Sequence, residues 1–284
     1  MSVANTCSID SRRLTLFVTR ARHCHTSLDG RSGLRSPLVR VVIVMPTYNE
    51  RENVVSILEA IRAAVPAAGV LVVDDNSPDG TGALADGAAA RLGDMTVLHR
   101  EGKAGLGAAY RHGFTVALDG GADVVVSMDS DFSHDPTVIP AMLAAVEAGA
   151  DVVIGSRYVQ GGGTVDWPLH RQFLSRYGNR YAGWILGMKV RDCTAGFRTY
   201  RADALRRIDP WSTTAEGYAF LTEITRRIAR RGLHVVETPI IFRDRTKGTS
   251  KMSGRIVVES MVLITRLGLG DRWTAWRTRS ARRA

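Results

Sequence analysis

From Val39 onward the chain alternates short, almost purely apolar runs with segments of helical period, and nothing else in it narrows the fold as far. The runs are VRVVIVMP (39–46), VLVVDD (70–75), MTVLHR (95–100), DVVVSMD (123–129) and DVVIGSRY (151–158). Strands that read this way are covered on both faces, and their alternation with helices is the signature of βαβ units. Between the first two runs, Val54, Ile57, Leu58, Ile61 and Val65 recur at helical spacing, and Asn49 with Glu52 is expected to cap that helix. Further helices are expected at 81–92, 105–118, 137–148, 171–187 and 217–231. The fold class is therefore α/β, a mostly parallel sheet flanked by helices.

Polar residues gather where those strands end: PTYNE after the first, DDNSPDGTG after the second, DSD after the fourth and GSRY after the fifth. The carboxyl edge of an open parallel sheet is where ligands bind. There the stretch VSMDSDFSHDP (126–136) puts Asp129, Asp131 and Asp135 within seven residues. Two carboxylates about 4 Å apart repel by roughly 4 kcal/mol near a protein surface, so Asp129 and Asp131 either stay solvated in a loop or share a cation. A hard divalent ion such as Mg2+, which leaves positions open for substrate phosphates, offsets that repulsion. Ser133 and His134 offer it a further contact, or His134 simply starts the next helix. No GxxxxGK[ST] is present and no GxGxxG follows the first strand, which disfavours an ordinary NTPase or dinucleotide site. GKAGLG (102–107) precedes a helix and offers backbone N–H groups to an anion.

Lys and Arg number 38 against 28 Asp and Glu, a net charge of +10 that suits a nucleic acid, an anionic lipid or a phosphorylated substrate. Much of the excess lies at the ends, in Arg12, Arg13, Arg20, Arg22, Arg31 and Arg35 and in Arg272, Arg277, Arg279, Arg282 and Arg283. Within the body, Arg157, Arg171, Arg243, Arg245, Lys247 and Lys251 fall in loops or at element ends, where they suit phosphate oxygens. RDRTKGTSKMSG (243–254) reads as a mobile basic lid or as a solvated loop. No nucleic-acid motif accompanies the charge. Cys7, Cys24 and Cys193 are odd in number and lack metal spacing, which favours a reducing compartment without disulfides. No transmembrane helix is expected, since no apolar run reaches the length required. IVVESMVLITRLGL (256–269), followed by Trp273 and Trp276, either lies in a membrane interface or packs as a core helix. Residues 1–38 are expected to be a disordered basic arm, 39–271 the globular domain and 272–284 a basic tail.

PTYNE, VVDDNSPDGT, DSDFSHDP, GSRYVQGG, WPLHRQFLS, TAGFRTYR and TKGTSK, in this order, resemble the inverting glycosyltransferase family two, and within it the polyprenol-phosphate (dolichol-phosphate) mannosyltransferases. The resemblance implies a GT-A fold with one nucleotide-sugar-binding domain, and metal-dependent transfer of mannose from GDP-mannose to a polyprenyl phosphate, with Mg2+ or Mn2+. By motif, Pro46, Tyr48, Glu50, Asp74 and Asp75 would hold the nucleoside, and Asp129 and Asp131 the metal and diphosphate. Arg157, Arg171 and Ser175 would bind the acceptor phosphate, and Arg245 with Lys251 would close over the phosphates. Some relatives carry Gln where Ser133 stands. The resemblance further implies a peripheral protein at the cytoplasmic membrane face and a membrane-embedded protein partner. A glucosyltransferase using UDP-glucose is the nearest alternative, and a basic nucleic-acid-binding protein the alternative from another class.

Overall fold

The computed structural model describes residues 39–215, 217–244, 261–262 and 264–270. Arg245, Lys247, Lys251 and the terminal arginines lie outside them. The described residues from Arg40 onward belong to one compact unit.

Five of the strands stand where the apolar runs predict: β1 Val41–Thr47, β2 Gly69–Asp74, β3 Met95–His99, β4 Val124–Ser127 and β5 Val152–Ser156. Four more occur among the described residues: β6 Gly163–Val165, β7 Arg198–Arg201, β8 Val235–Pro239 and β9 Ile241–Arg243. The main sheet runs β3-β2-β1-β4-β7-β5-β8, and β6 pairs with β9 in a separate ribbon. All pairings in the main sheet are parallel except those of β7, which is antiparallel to both β4 and β5. This strand therefore delivers the loop before it, rather than the loop after it, to the edge where β4 and β5 end.

The helices are α1 Val54–Ala64, α2 Thr81–Leu92, α3 Leu106–Asp119, α4 Ile139–Glu147, α5 Leu169–Leu186, α6 Ala202–Ile208 and α7 Gly217–Arg230. The expected Asn49 and Glu52 cap is not formed. Asn49 instead adopts a left-handed φ of 56°, and the carbonyl of Glu50 accepts from the N–H groups of Asn53 and Val54, so a turn intervenes before α1. The cause lies in the loop after β2: Asn49 N–H donates to Ser77 Oγ and Glu50 N–H to Thr81 Oγ1.

Both faces of the sheet are buried. In β1, Val42 and Val44 join one core with α3, α6 and α7, while Ile43 and Met45 join another with α1, α2 and α4. Each fully buried side chain of this size contributes about 1.5–3 kcal/mol, which is why the run is apolar without alternation. The described helical residues 261–262 and 264–270 pack on α5, where Ile264 joins Ala182, Ile185, Met188 and Cys193, and Tyr181 shares a 2.8 Å hydrogen bond with Thr265.

Candidate active site

The ends of β1, β2, β4 and β5 open onto one cavity of about 410 Å³. Pro46, Tyr48, Glu50 and Asp75 line it beside Asp129 and Asp131, and Arg157, Arg171 and Ser175 line it too. Nine of the expected residues thus share one space, although up to 129 positions separate them in the chain (46 to 175). Asp74 does not line it. Its carboxylate accepts from Thr47 Oγ1 at 3.2 Å, Ser77 Oγ at 2.5 Å and Ser77 N–H at 3.1 Å, so it ties the end of β2 to the end of β1. Asp75, the next residue, faces the cavity and is paired with Arg100. Lys103, from the GKAGLG turn, lies 4.1 Å over the Tyr48 ring and also lines the cavity.

Asp129 and Asp131 leave β4 after the buried Met128. Asp131 is only 7% exposed, with Oδ1 accepting from Ser133 N–H at 3.1 Å, while the Asp129 side chain is 37% exposed. His134 stands directly before Asp135, the cap of a 3-10 turn over Pro136–Val138, and has a second part besides. It is buried, stacks on Phe197 at 5.0 Å, and its Nδ1 accepts the Asp129 backbone N–H at 3.1 Å, so the ring proton sits on Nε2. His134 therefore shapes the Asp129 backbone. Tyr110 donates to Asp129 Oδ1 at 3.4 Å, and burial followed by the Asp129 charge pushes its hydroxyl well above the usual range, which keeps it a donor.

Two carboxylates from one strand end fit a hard divalent ion. A Cβ at Gly196 would lie 3.7 Å from both Asp129 oxygens, an ordinary contact, so the backbone before β7 runs close beside that carboxylate. Ser133 Oγ, buried nearby in sequence, has no hydrogen-bond partner among the described residues. Among the described residues no group of three or more His, Cys, Asp or Glu is placed to hold a metal ion.

At the other end Arg157 is held by a residue that sequence reasoning missed. Asp192 accepts from Arg157 Nε and Nη2, both at 2.7 Å, and from its backbone N–H at 3.0 Å, with the carboxylate fully buried. Burial pushes the Asp192 carboxyl up, but the Arg157 guanidinium more than reverses this, leaving it below the usual carboxylate range. Glu237 of β8 accepts the N–H groups of Arg191 and Asp192, and Asn179 of α5 accepts those of Cys193 and Thr194. Buried Arg198 donates to the carbonyls of Cys193 and Ala195. The segment before β7 is thus pinned from three elements. The Cys193 thiol is pushed up to about 12 by burial and then by Asp192, so it is no nucleophile here. Arg171 pairs with Asp244 at 2.6 Å, and Tyr158 donates to Ser175 Oγ at 2.6 Å.

A family model described as glycosyl transferase family 2 matches residues 42–209. The chain is 50% identical over 241 residues to the undecaprenyl-phosphate mannosyltransferase of Micrococcus luteus, covering 85% of this chain and 99% of that protein. It is 46% identical over 237 residues to the polyprenol monophosphomannose synthase of Mycolicibacterium smegmatis, covering 83% and 89%. Among solved structures, glucosyl-3-phosphoglycerate synthase from Mycobacterium tuberculosis in complex with Mn2+, uridine diphosphate and phosphoglyceric acid superposes with a TM-score of 0.63 over 81% of this chain and 79% of that one. At 16% identity this speaks for the fold alone. Sheet order, a cavity at the strand ends and these relatives agree: the chain has the GT-A fold and belongs to glycosyl transferase family 2, as an enzyme of that family.

Proposed function

We propose that the protein transfers mannose from GDP-mannose to a polyprenyl monophosphate, forming polyprenyl-phosphate mannose with inversion at the sugar carbon. The observation that carries this reading is a single cavity with strand-end carboxylates, Asp129 and Asp131, on one part of its wall and Arg157, Arg171 and Ser175 on another. One part suits a metal-bound diphosphate and the other a phosphate monoester. The names of the relatives support the polyprenyl acceptor.

Pro46, Tyr48, Glu50 and Asp75 bind the nucleoside, with Lys103 close enough to meet a phosphate. Asp129 and Asp131 would hold the divalent ion, Mg2+ or Mn2+, and when bound it would supply positive charge against the diphosphate. Arg157 and Arg171 orient the acceptor. An alkyl phosphate with a second pKa near 6 is largely deprotonated at neutral pH, so its oxygen attacks the sugar carbon without a protein base. The new carbon–oxygen bond forms as the bond to the diphosphate breaks, and the electron pair leaves with GDP. What the protein contributes is alignment and charge.

A lipid acceptor must be reached at a membrane. Among the described residues no helix is long and apolar enough to cross one. Helix α5 instead presents Leu169, Phe173, Tyr177 and Trp184, exposed by 82%, 63%, 54% and 65%, while Arg171, Leu174 and Ser175 of the same helix line the cavity. An aromatic, Arg-bearing helix of this kind suits the bilayer interface, and it would bring the phosphate to the arginines.

Incubation with GDP-mannose, polyprenyl phosphate and Mg2+ tests the proposal. A mannosylated lipid whose formation GDP inhibits and UDP does not is the expected result. Inhibition by UDP alone, with glucose transferred from UDP-glucose, would replace it with the glucosyltransferase reading.

A further inference from the structure

The cavity runs along one face of α5. At about 3.6 residues per turn, Arg171, Leu174, Ser175, Gly178 and Ala182 fall on that face, while the exposed Phe173, Tyr177 and Trp184 fall on the opposite one. The first four of these line the cavity. One turn beyond Gly178, the buried Ala182 shares a cluster with Ile264, and Ile264 lines the cavity with Met261 and with Leu221 of α7. The wall past the arginines is therefore largely apolar. Asn179 and Thr194, which also line the cavity, are bonded to each other at 3.2 Å.

Gly178 stands in the middle of this face. Its backbone is ordinary helix without a positive φ, and a Cβ added to it would meet nothing within 4 Å. Neither backbone geometry nor packing asks for glycine here, and alanine is the better helix former. A ligand that needs the room accounts for it. A lipid monophosphate held by Arg171 and Ser175 carries its first carbons on the bridging oxygen, and Gly178 lies less than one turn of about 5.4 Å beyond Ser175. We propose that the wall made by Leu174, Gly178, Leu221, Met261 and Ile264 receives the first isoprene unit of the polyprenyl phosphate, and that the absent side chain at 178 leaves room for its methyl branch. The inference rests on the acceptor assignment made above and deepens it. A hexose needs hydroxyl partners that such a wall does not supply, whereas an isoprene unit gains by leaving water.

Gly178→Ala, Gly178→Leu and Met261→Trp add bulk to that space from two sides. For each, the melting temperature, calorimetric GDP-mannose binding with Mg2+ and initial rates against a polyprenyl monophosphate in detergent micelles are measured. Gly178→Ala is expected to melt at or above the wild-type temperature, since nothing packs where its methyl group goes. Gly178→Leu and Met261→Trp are expected to raise the acceptor KM about tenfold or more, which exclusion of about two buried carbons suffices to produce, with GDP-mannose affinity unchanged. A lower melting temperature in Gly178→Ala would show that the protein itself needs the space, and would overturn the inference. So would a wild-type acceptor KM in either larger variant, or a loss confined to GDP-mannose affinity, which would give the space to the sugar. Failure of the wild-type protein to mannosylate the lipid would instead overturn the acceptor reading, and this inference with it.

Discussion

Asp192 lies beneath the surface of the cavity yet fixes the residue that faces it. Its carboxyl sits below the ordinary carboxylate range, because the Arg157 guanidinium outweighs the burial that pushes it up. A depressed carboxyl stabilises the fold above its unfolded pKa of about 3.9, and the stabilisation is lost as pH falls below that value. Asp192→Asn is therefore expected to destabilise the protein by about 3–5 kcal/mol at pH 7, the usual cost of leaving a buried charge unpaired. Urea unfolding from pH 7 down to pH 3 measures it: the gap between wild type and variant should narrow in acid, and a constant gap would deny the linkage. Asp192 could not be found in the sequence because its role is set by Arg157, 35 positions away, and by Glu237 from another strand. The place of Asp129 and Asp131 at the cavity was legible because a buried strand leads into them. Asp74 and Asp75 part for a related reason. Adjacent acids at a strand end look alike in sequence, but successive residues face opposite ways, and only Asp75 faces the cavity.

At the scale of elements, helix α3 lies against β1 and β2 with a glycine between them. A Cβ on Gly113 would come within 2.4 Å of Val44 Cγ1 and 3.0 Å of Val73 Cγ2. Alanine is the better helix former by about 1 kcal/mol, but overpacking a stiff β-branched core costs about 1–3 kcal/mol. Gly113→Ala is therefore expected to destabilise, and a higher melting temperature would show that the helix can move away from the sheet. Helix α5 carries a separate expectation. Replacing Leu169 and Phe173 with Ser should reduce flotation with anionic phospholipid vesicles while GDP-mannose binding persists; unchanged flotation would remove α5 from the membrane contact. The first five strands and the long helices were legible from apolar runs and helical spacing, whereas β8, parallel to β5, was not, since VVETP opens with only two apolar residues. The strand β7 was not, because its sequence RTYR reads polar, although Arg198, Thr199 and Tyr200 are all buried between β4 and β5. The three-residue strands β6, after a Gly-rich stretch, and β9, just after Pro239, are too short to carry a period.

Across the whole molecule, the sheet brings two chemistries into one cavity by ending β1, β2 and β4 at one edge and inserting β7 between β4 and β5. The central claim is that the carboxylates serve the nucleotide sugar and the arginines serve the lipid phosphate. Calorimetric titration of GDP-mannose with Mg2+ into the wild type, Asp131→Ala and Arg171→Ala tests that division without requiring turnover. Asp131→Ala should lose metal-dependent binding, and Arg171→Ala should bind GDP-mannose as the wild type does while failing to use the polyprenyl phosphate. Full binding by Asp131→Ala, or a loss of GDP-mannose affinity in Arg171→Ala, would contradict it.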